Sequence, residues 1–178
     1  MVLLLASFLS AWAGSLAGVT LPDAITSKGG APLVLNGMGL REMLWIDIYV
    51  GALYLPAKTQ DAKAAIQQDV PKRVVMHFIY RSVTKEQILK TFDEAFAKAP
   101  AAASLRPQID QLKAAIDGGA VAGDQILIDY EPGVGTTLTI KGVKKVTIPG
   151  ADFMRLLWGV WLGDSPPSEN LKRGMLGR

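Results

Sequence analysis

The chain reads as a single α+β domain: a mainly antiparallel β-sheet covered on one face by a layer of helices. Three observations predict this. Runs of strand-like residues alternate with runs of helix-like ones, instead of strand and helix alternating singly. The strand segments are short and separated by Gly- and Pro-marked turns, as hairpin connections require. The 178 residues, 49% hydrophobic and 20% charged, suffice for one well-filled core and are too few for two large ones.

No charged side chain occurs from Met1 to Pro22. Val2–Trp12 has the length of a signal-peptide apolar region, although the usual basic start is missing. Ala11-Trp12-Ala13 before Gly14 fits a small-x-small cleavage site, and Ala17-Gly18 offers a second. A membrane anchor is the rival reading. The strongly apolar part is shorter than the ~20 residues a spanning helix needs. Residues 1–18 are therefore expected to be an export signal, with residues 19–178 as one domain. The mature chain is expected to be periplasmic or otherwise exported, with no stable membrane span after cleavage.

Val19–Leu21 is a short first strand, and Thr26–Pro32 is a turn marked by Gly29-Gly30 and Pro32. Leu33–Leu40 and Met43–Leu55 are strands, expected to pair as a hairpin around Arg41-Glu42. Thr59–Asp69 is a short helix ended by Pro71. Lys72–Tyr80 has two alternating sets that are both largely apolar, which predicts a central strand covered on both faces. Thr84-Lys85-Glu86-Gln87 is a capping box, and Ile88, Phe92 and Phe96 follow as one helical stripe. Pro100 stops that helix. Ser104 is expected to open the next, with Leu105, Ile109, Leu112 and Ile116 inward and Gly118-Gly119 as its stop. Gln125–Tyr130 is a strand. Thr136–Ile140 and Lys144–Ile148 form a hairpin around Lys141-Gly142. Ala151–Leu162 is the clearest helix, since Phe153, Leu156, Leu157, Val160 and Trp161 fall on one face and Gly163 caps its end. Ser168–Arg173 is a last short helix.

The residue inventory excludes several chemistries. There is no cysteine and one histidine, which removes disulfides, thiol nucleophiles and multi-histidine metal centres. His77 sits mid-strand without a nucleophile motif or orienting partner and reads as structural. Gly37-Met38-Gly39 and Gly133-Val134-Gly135 do not extend to a nucleotide-binding pattern. No metal and no cofactor is expected. The net charge of +3 is spread along the chain, which argues against nucleic acid as a partner.

Arg41 stands out. A guanidinium between two apolar strands is either an exposed turn residue or an anchor for an anion. Asp47 either faces solvent or partners Arg41. The aromatics Trp45, Tyr49, Tyr54, Trp158 and Trp161 either line a pocket or fill the core. Arg41 with apolar walls has the composition of a pocket for a small hydrophobic or amphipathic anion.

The segment LNGMGLREMLWIDIYVGALYL, the Arg-Ser-Val-Thr helix start at 81–84, GDQILIDYEPGVGTTLTIKG, IPGADFMRLLWGVWLG and LKRGMLG, in this order, resemble chalcone isomerase-like proteins, closest to a bacterial exported branch. The resemblance implies an open-faced sandwich of antiparallel sheet and helices. It leaves the activity open, because members of that family split in function and some have no known activity. True members close a chalcone to a flavanone using an arginine supported by a Thr, a Tyr and an Asn; others bind fatty acids with an arginine near the carboxylate.

Arg41 matches the family arginine. Tyr49 stands where the enzymes have a threonine, Thr84 near their tyrosine and Thr91 near their asparagine. Gly159 or Val160 replaces a small polar residue. Most of the polar set that positions a chalcone is absent, so the expectation is a binding protein. Arg41 and Tyr49, walled by Trp45 and Trp158, would hold a hydrophobic carboxylate. The alternatives are an isomerase (an intramolecular lyase) on an aromatic enone, using Arg41, Tyr49, Thr84 and Thr91, and a ligand-free partner-binding domain.

Overall fold

The computed structural model describes residues 13–178. The proposed signal region up to Trp12 lies outside the described residues. Two strands, β1 (Ala13–Leu16) and β2 (Val19–Pro22), form a small hairpin. Seven more form one antiparallel sheet: β3 (Ala24–Thr26), β4 (Pro32–Met43), β5 (Ile46–Leu55), β6 (Lys72–Phe78), β7 (Gln125–Glu131), β8 (Gly135–Ile140) and β9 (Val143–Ile148). Each is bonded to the next in sequence, so the sheet is a meander with helices inserted in its connections.

The helices are α1 (Ala62–Gln67), α2 (Lys85–Ala97), α3 (Arg106–Ala115), α4 (Ala151–Leu162) and α5 (Glu169–Met175). α3 starts at Arg106 with no side-chain cap, so Ser104 does not open it. Among the described residues no helix is long and apolar enough to cross a membrane.

All five helices contribute to one large core against a single face of the sheet. Leu53, Val74, Met76, Phe78, Ile128 and Leu138 supply the sheet side, and Ile88, Phe92, Leu112, Phe153, Leu157 and Trp161 the helix side. This is the expected layering. The opposite face is also partly covered. Val50, Ala52, Tyr54 and Val75 pack there under Val19 and Leu21 of β2. β6 is the middle strand of the seven and is apolar on both faces for that reason.

One irregularity in the β4–β5 hairpin decides on which face Gly37, Gly39 and Arg41 lie. Leu33 and Leu35 point to the outer face, so strict alternation would carry Gly37, Gly39 and Arg41 there too. A bulge at Asn36 reverses the parity, so that Gly37 pairs with Leu53, Gly39 with Gly51 and Arg41 with Tyr49, on the helix side. Buried Asn36 fixes the bulge. Its Nδ2 donates to the Met175 carbonyl at 2.8 Å, and its Oδ1 accepts from the Thr59 N–H at 2.7 Å.

The turn of this hairpin is not at Arg41-Glu42. Met43 pairs with Ile46, and Leu44-Trp45 make the two-residue connection, both at positive φ (49° and 69°). Charged residues suggested the earlier turn. The chain instead places two large apolar residues in left-handed geometry, which costs roughly 1–2 kcal/mol per residue with a Cβ. Arg41 is thus a strand residue.

Gly37 and Gly39 have a packing role. α5 lies directly on β4, backbone against backbone. A Cβ at Gly37 would collide with the Gly174 carbonyl, and one at Gly39 with the Leu171 carbonyl. The Gly-x-Gly is the groove that seats the last helix.

Candidate functional site

A cavity of about 300 Å³ opens between the β4–β5–β6 end of the sheet and helices α2 and α4. Its walls are mainly apolar: Met76 and Phe78 from β6, Ile88 and Phe92 from α2, Val160 and Trp161 from α4. Arg41, Tyr49, Tyr80, Gln87, Lys90, Thr91 and Glu94 supply the polar groups. This composition, greasy walls with a few placed polar groups, is that of a small-molecule site.

Tyr49 forms the buried end. Its ring packs against Phe78 at 5.6 Å, and its Oη accepts the Trp161 Nε1–H at 3.1 Å. Trp161 is held in turn by an edge-on contact with Phe92 at 6.0 Å. An indole nitrogen only donates, so the phenol's own proton is not used in this bond. Burial pushes the Tyr49 pKa up to about 12, against the opposing pull of the Trp161 hydrogen bond and the Arg41 charge. Tyr49 is therefore a neutral O–H donor at physiological pH.

Arg41 sits directly across the strand pair from Tyr49, half-buried. Directly opposed residues share a face and lie close. Its Nη1 donates to the Glu42 carbonyl. Asp47 pairs in register with Glu42, not Arg41, and is exposed. Among the described residues no carboxylate makes an ion pair with Arg41. The guanidinium keeps most of its donors for an anion.

The other sequence-predicted residues divide. Thr91 lines the cavity, but its Oγ1 donates to the Gln87 carbonyl at 3.2 Å, which leaves it only as an acceptor. Thr84 does not line the cavity. It caps α2, accepting from the Gln87 N–H at 3.3 Å while Gln87 Oε1 accepts from the Thr84 N–H at 2.8 Å. Trp45 is at the hairpin tip, 99% exposed, and does not line the cavity. Trp158 does not line it either. It is fully buried beside Lys72, whose Nζ lies 5.7 Å from the ring centroid. One turn along α4, Trp161 takes the place expected of Trp158.

Tyr54 is on the outer face, donating to the Pro22 carbonyl at 2.8 Å. His77 is there too. Its Nδ1 lies 2.9 Å from the Gln125 side-chain amide, and burial lowers its pKa. Sequence reasoning missed Tyr80, Gln87, Lys90 and Glu94. The signal was present in α2, where Gln87, Thr91 and Glu94 recur at helical spacing beside the Ile88–Phe92 stripe. Among the described residues no three His, Asp or Glu side chains converge on a metal-holding arrangement.

Fold and site together define a class: a meander sheet under helices, holding a small apolar cavity walled in part by the Arg41 guanidinium and the buried Tyr49 phenol. A family model described as chalcone isomerase-like matches residues 13–177. The chain belongs to the chalcone isomerase-like family. No curated protein sequence matches it. Among solved structures, a fatty-acid binding protein of Arabidopsis thaliana is similar at a TM-score of 0.74 and 13% identity, over 93% of this chain and 96% of that one. At that identity the likeness bears on fold alone.

Proposed function

We propose that this protein binds a hydrophobic carboxylate such as a fatty acid, with the carboxylate on Arg41 and Tyr49 and the chain among Met76, Phe78, Ile88 and Phe92. The observation that carries this reading is the pairing of an ion-pair-free guanidinium with a buried phenol whose proton is unspent. Both groups donate, and a carboxylate only accepts. The structurally similar Arabidopsis protein, described as fatty-acid binding, supports it. The cavity is at the lower end of the ~300–1,000 Å³ span of ligand pockets, which suits a single acyl chain over a diacyl lipid.

Ring closure on an aromatic enone is less well served. Thr84 is consumed as a helix cap and Thr91 has no proton to give. Arg41 and Tyr49 alone can stabilise an oxyanion, but nothing orients the attack.

The test is titration of delipidated protein with saturated fatty acids of graded length. Arg41→Ala is expected to weaken binding by about tenfold or more, as loss of a charge-assisted contact worth roughly 1.5–3 kcal/mol implies. Failure of the wild-type protein to take up any such acid would refute the reading.

The same reading includes export, because Val2–Trp12 has the length of a signal-peptide apolar region and is followed by small-x-small cleavage sites. Cleavage after Ala13 leaves Gly14–Leu16 to pair with β2 and pack on Leu35 and Met38, whereas cleavage after Gly18 removes β1. Val19 is the expected start and Gly14 the alternative, and N-terminal sequencing of protein recovered from the medium or periplasm distinguishes them.

A further inference from the structure

The tip of the β4–β5 hairpin is unexplained by ligand binding. Met43, Leu44, Trp45 and Ile46 are consecutive apolar residues, all exposed, with Leu44 at 84% and Trp45 at 99%. Leu44 and Trp45 occupy the two positive-φ positions of a tight hairpin turn, where Asn-Gly fits without strain. The chain therefore departs from the relaxed choice twice, in conformation and in exposure. Met43 and Ile46 also line the cavity, so the tip is one wall of its mouth.

We propose that this tip docks the protein on a lipid bilayer, with Leu44 and Trp45 at the boundary between headgroups and acyl chains. The inference rests on the fatty-acid reading. Tryptophan and leucine favour that boundary, and Met43–Ile46 carry no charge, the exposed Glu42–Asp47 pair behind them staying at headgroup level. The tip is a narrow two-residue point. It cannot by itself bury the ~800 Å² per partner that a standard protein interface needs, whereas insertion in lipid needs no matching surface. With the tip inserted, the cavity opens towards acyl chains and Arg41 sits near headgroup level. A fatty acid then enters tail-first and leaves carboxylate-first without crossing bulk water.

The test uses processed protein purified from cells and vesicles of pure phosphatidylcholine, chosen because the tip is uncharged. The key variant is Leu44→Asn with Trp45→Gly, which restores a relaxed turn. It is expected to fold with an unchanged or higher Tm and to bind fatty acid in solution as the wild type does. Its partition onto vesicles is expected to fall about tenfold or more, given the apolar area removed. Brominated phosphatidylcholine is expected to quench wild-type tryptophan emission and to quench the variant much less. Arg41→Ala is expected to lose fatty acid but to dock normally, so failure of ligand binding and failure of docking are read separately. Equal partition of wild type and the turn variant would overturn the proposal. So would absence of vesicle binding by the wild type, or a self-association that the variant abolishes without any vesicle effect.

Discussion

Replacing Tyr49 by Phe removes one hydroxyl and disturbs two things at once. In the folded protein the Trp161 Nε1–H loses its acceptor while Trp161 stays 1% exposed. Leaving a buried donor unsatisfied costs about 1–3 kcal/mol. For a chain of this size that is a Tm decrease of roughly 2–4 °C per kcal/mol. In the complex, the carboxylate loses its phenol donor. A hydrogen bond to a charged acceptor is worth roughly 1.5–3 kcal/mol, so affinity is expected to fall about tenfold or more. Trp161→Phe helps to separate the two effects, since it keeps the phenol proton and an aromatic cavity wall, and is expected to lower stability with a smaller change in affinity than Tyr49→Phe. The double variant removes both partners, and its destabilisation is expected to be less than the sum of the singles. Urea unfolding and fatty-acid titration on all four proteins complete the cycle. Undiminished affinity in Tyr49→Phe would refute the assignment of the phenol as a ligand donor and reduce Tyr49 to a core residue.

Gly39→Ala is expected to lift α5 from β4 and destabilise the fold by about 1–3 kcal/mol, since the new Cβ meets the Leu171 carbonyl and backbone cannot yield as a side chain can; denaturant unfolding measures it. Lys72 is buried, with its Nζ donating to the Ala65 carbonyl at 2.8 Å, and burial lowers its pKa from 10.5 to about 8. Between these values the unfolded chain binds more protons than the folded one, so this group's contribution to stability rises with pH. Wild type is expected to gain on Lys72→Met from pH 8 towards 10.5, and a flat difference would count against it. Tyr49, Tyr54 and Tyr130 have the opposite sign: burial raises each from 10.0 to about 12. Their stabilisation is present below pH 10 and lost as pH rises through 12, so alkaline unfolding is expected in that window and is followed by circular dichroism.

Much of the element order was legible because each signal is local. The α2 capping box, the α4 stripe and the two-sided apolarity of β6 all rest on residues within one segment. Arg41 and Tyr49 were legible as candidates because charge and phenol are conspicuous in an apolar run. Thr84 shows the limit of that reasoning. Its capping role was plain from the same four residues, yet positional analogy also suggested a site role, and one hydroxyl hydrogen-bonding at the cap does not face the cavity. The Leu44-Trp45 turn was hidden because neither residue is a turn former, and left-handed geometry there is imposed by pairing of the flanking strands.

By itself, then, the sequence determined the α+β class, the succession of strands and helices and the chemistry available, since these follow from periodicity and side-chain type. Only the tertiary structure decided which face Arg41 occupies, because a one-residue bulge at Asn36 reverses the alternation and is held by Met175 and Thr59, contacts remote in sequence. It also decided that Trp161 and not Trp158 meets the cavity, because both lie on the apolar side of α4 and only the neighbours packed against that helix distinguish them. The role of Gly37 and Gly39 was likewise undecidable from the strand alone, since what a missing side chain makes room for is a property of its neighbour, here the backbone of α5.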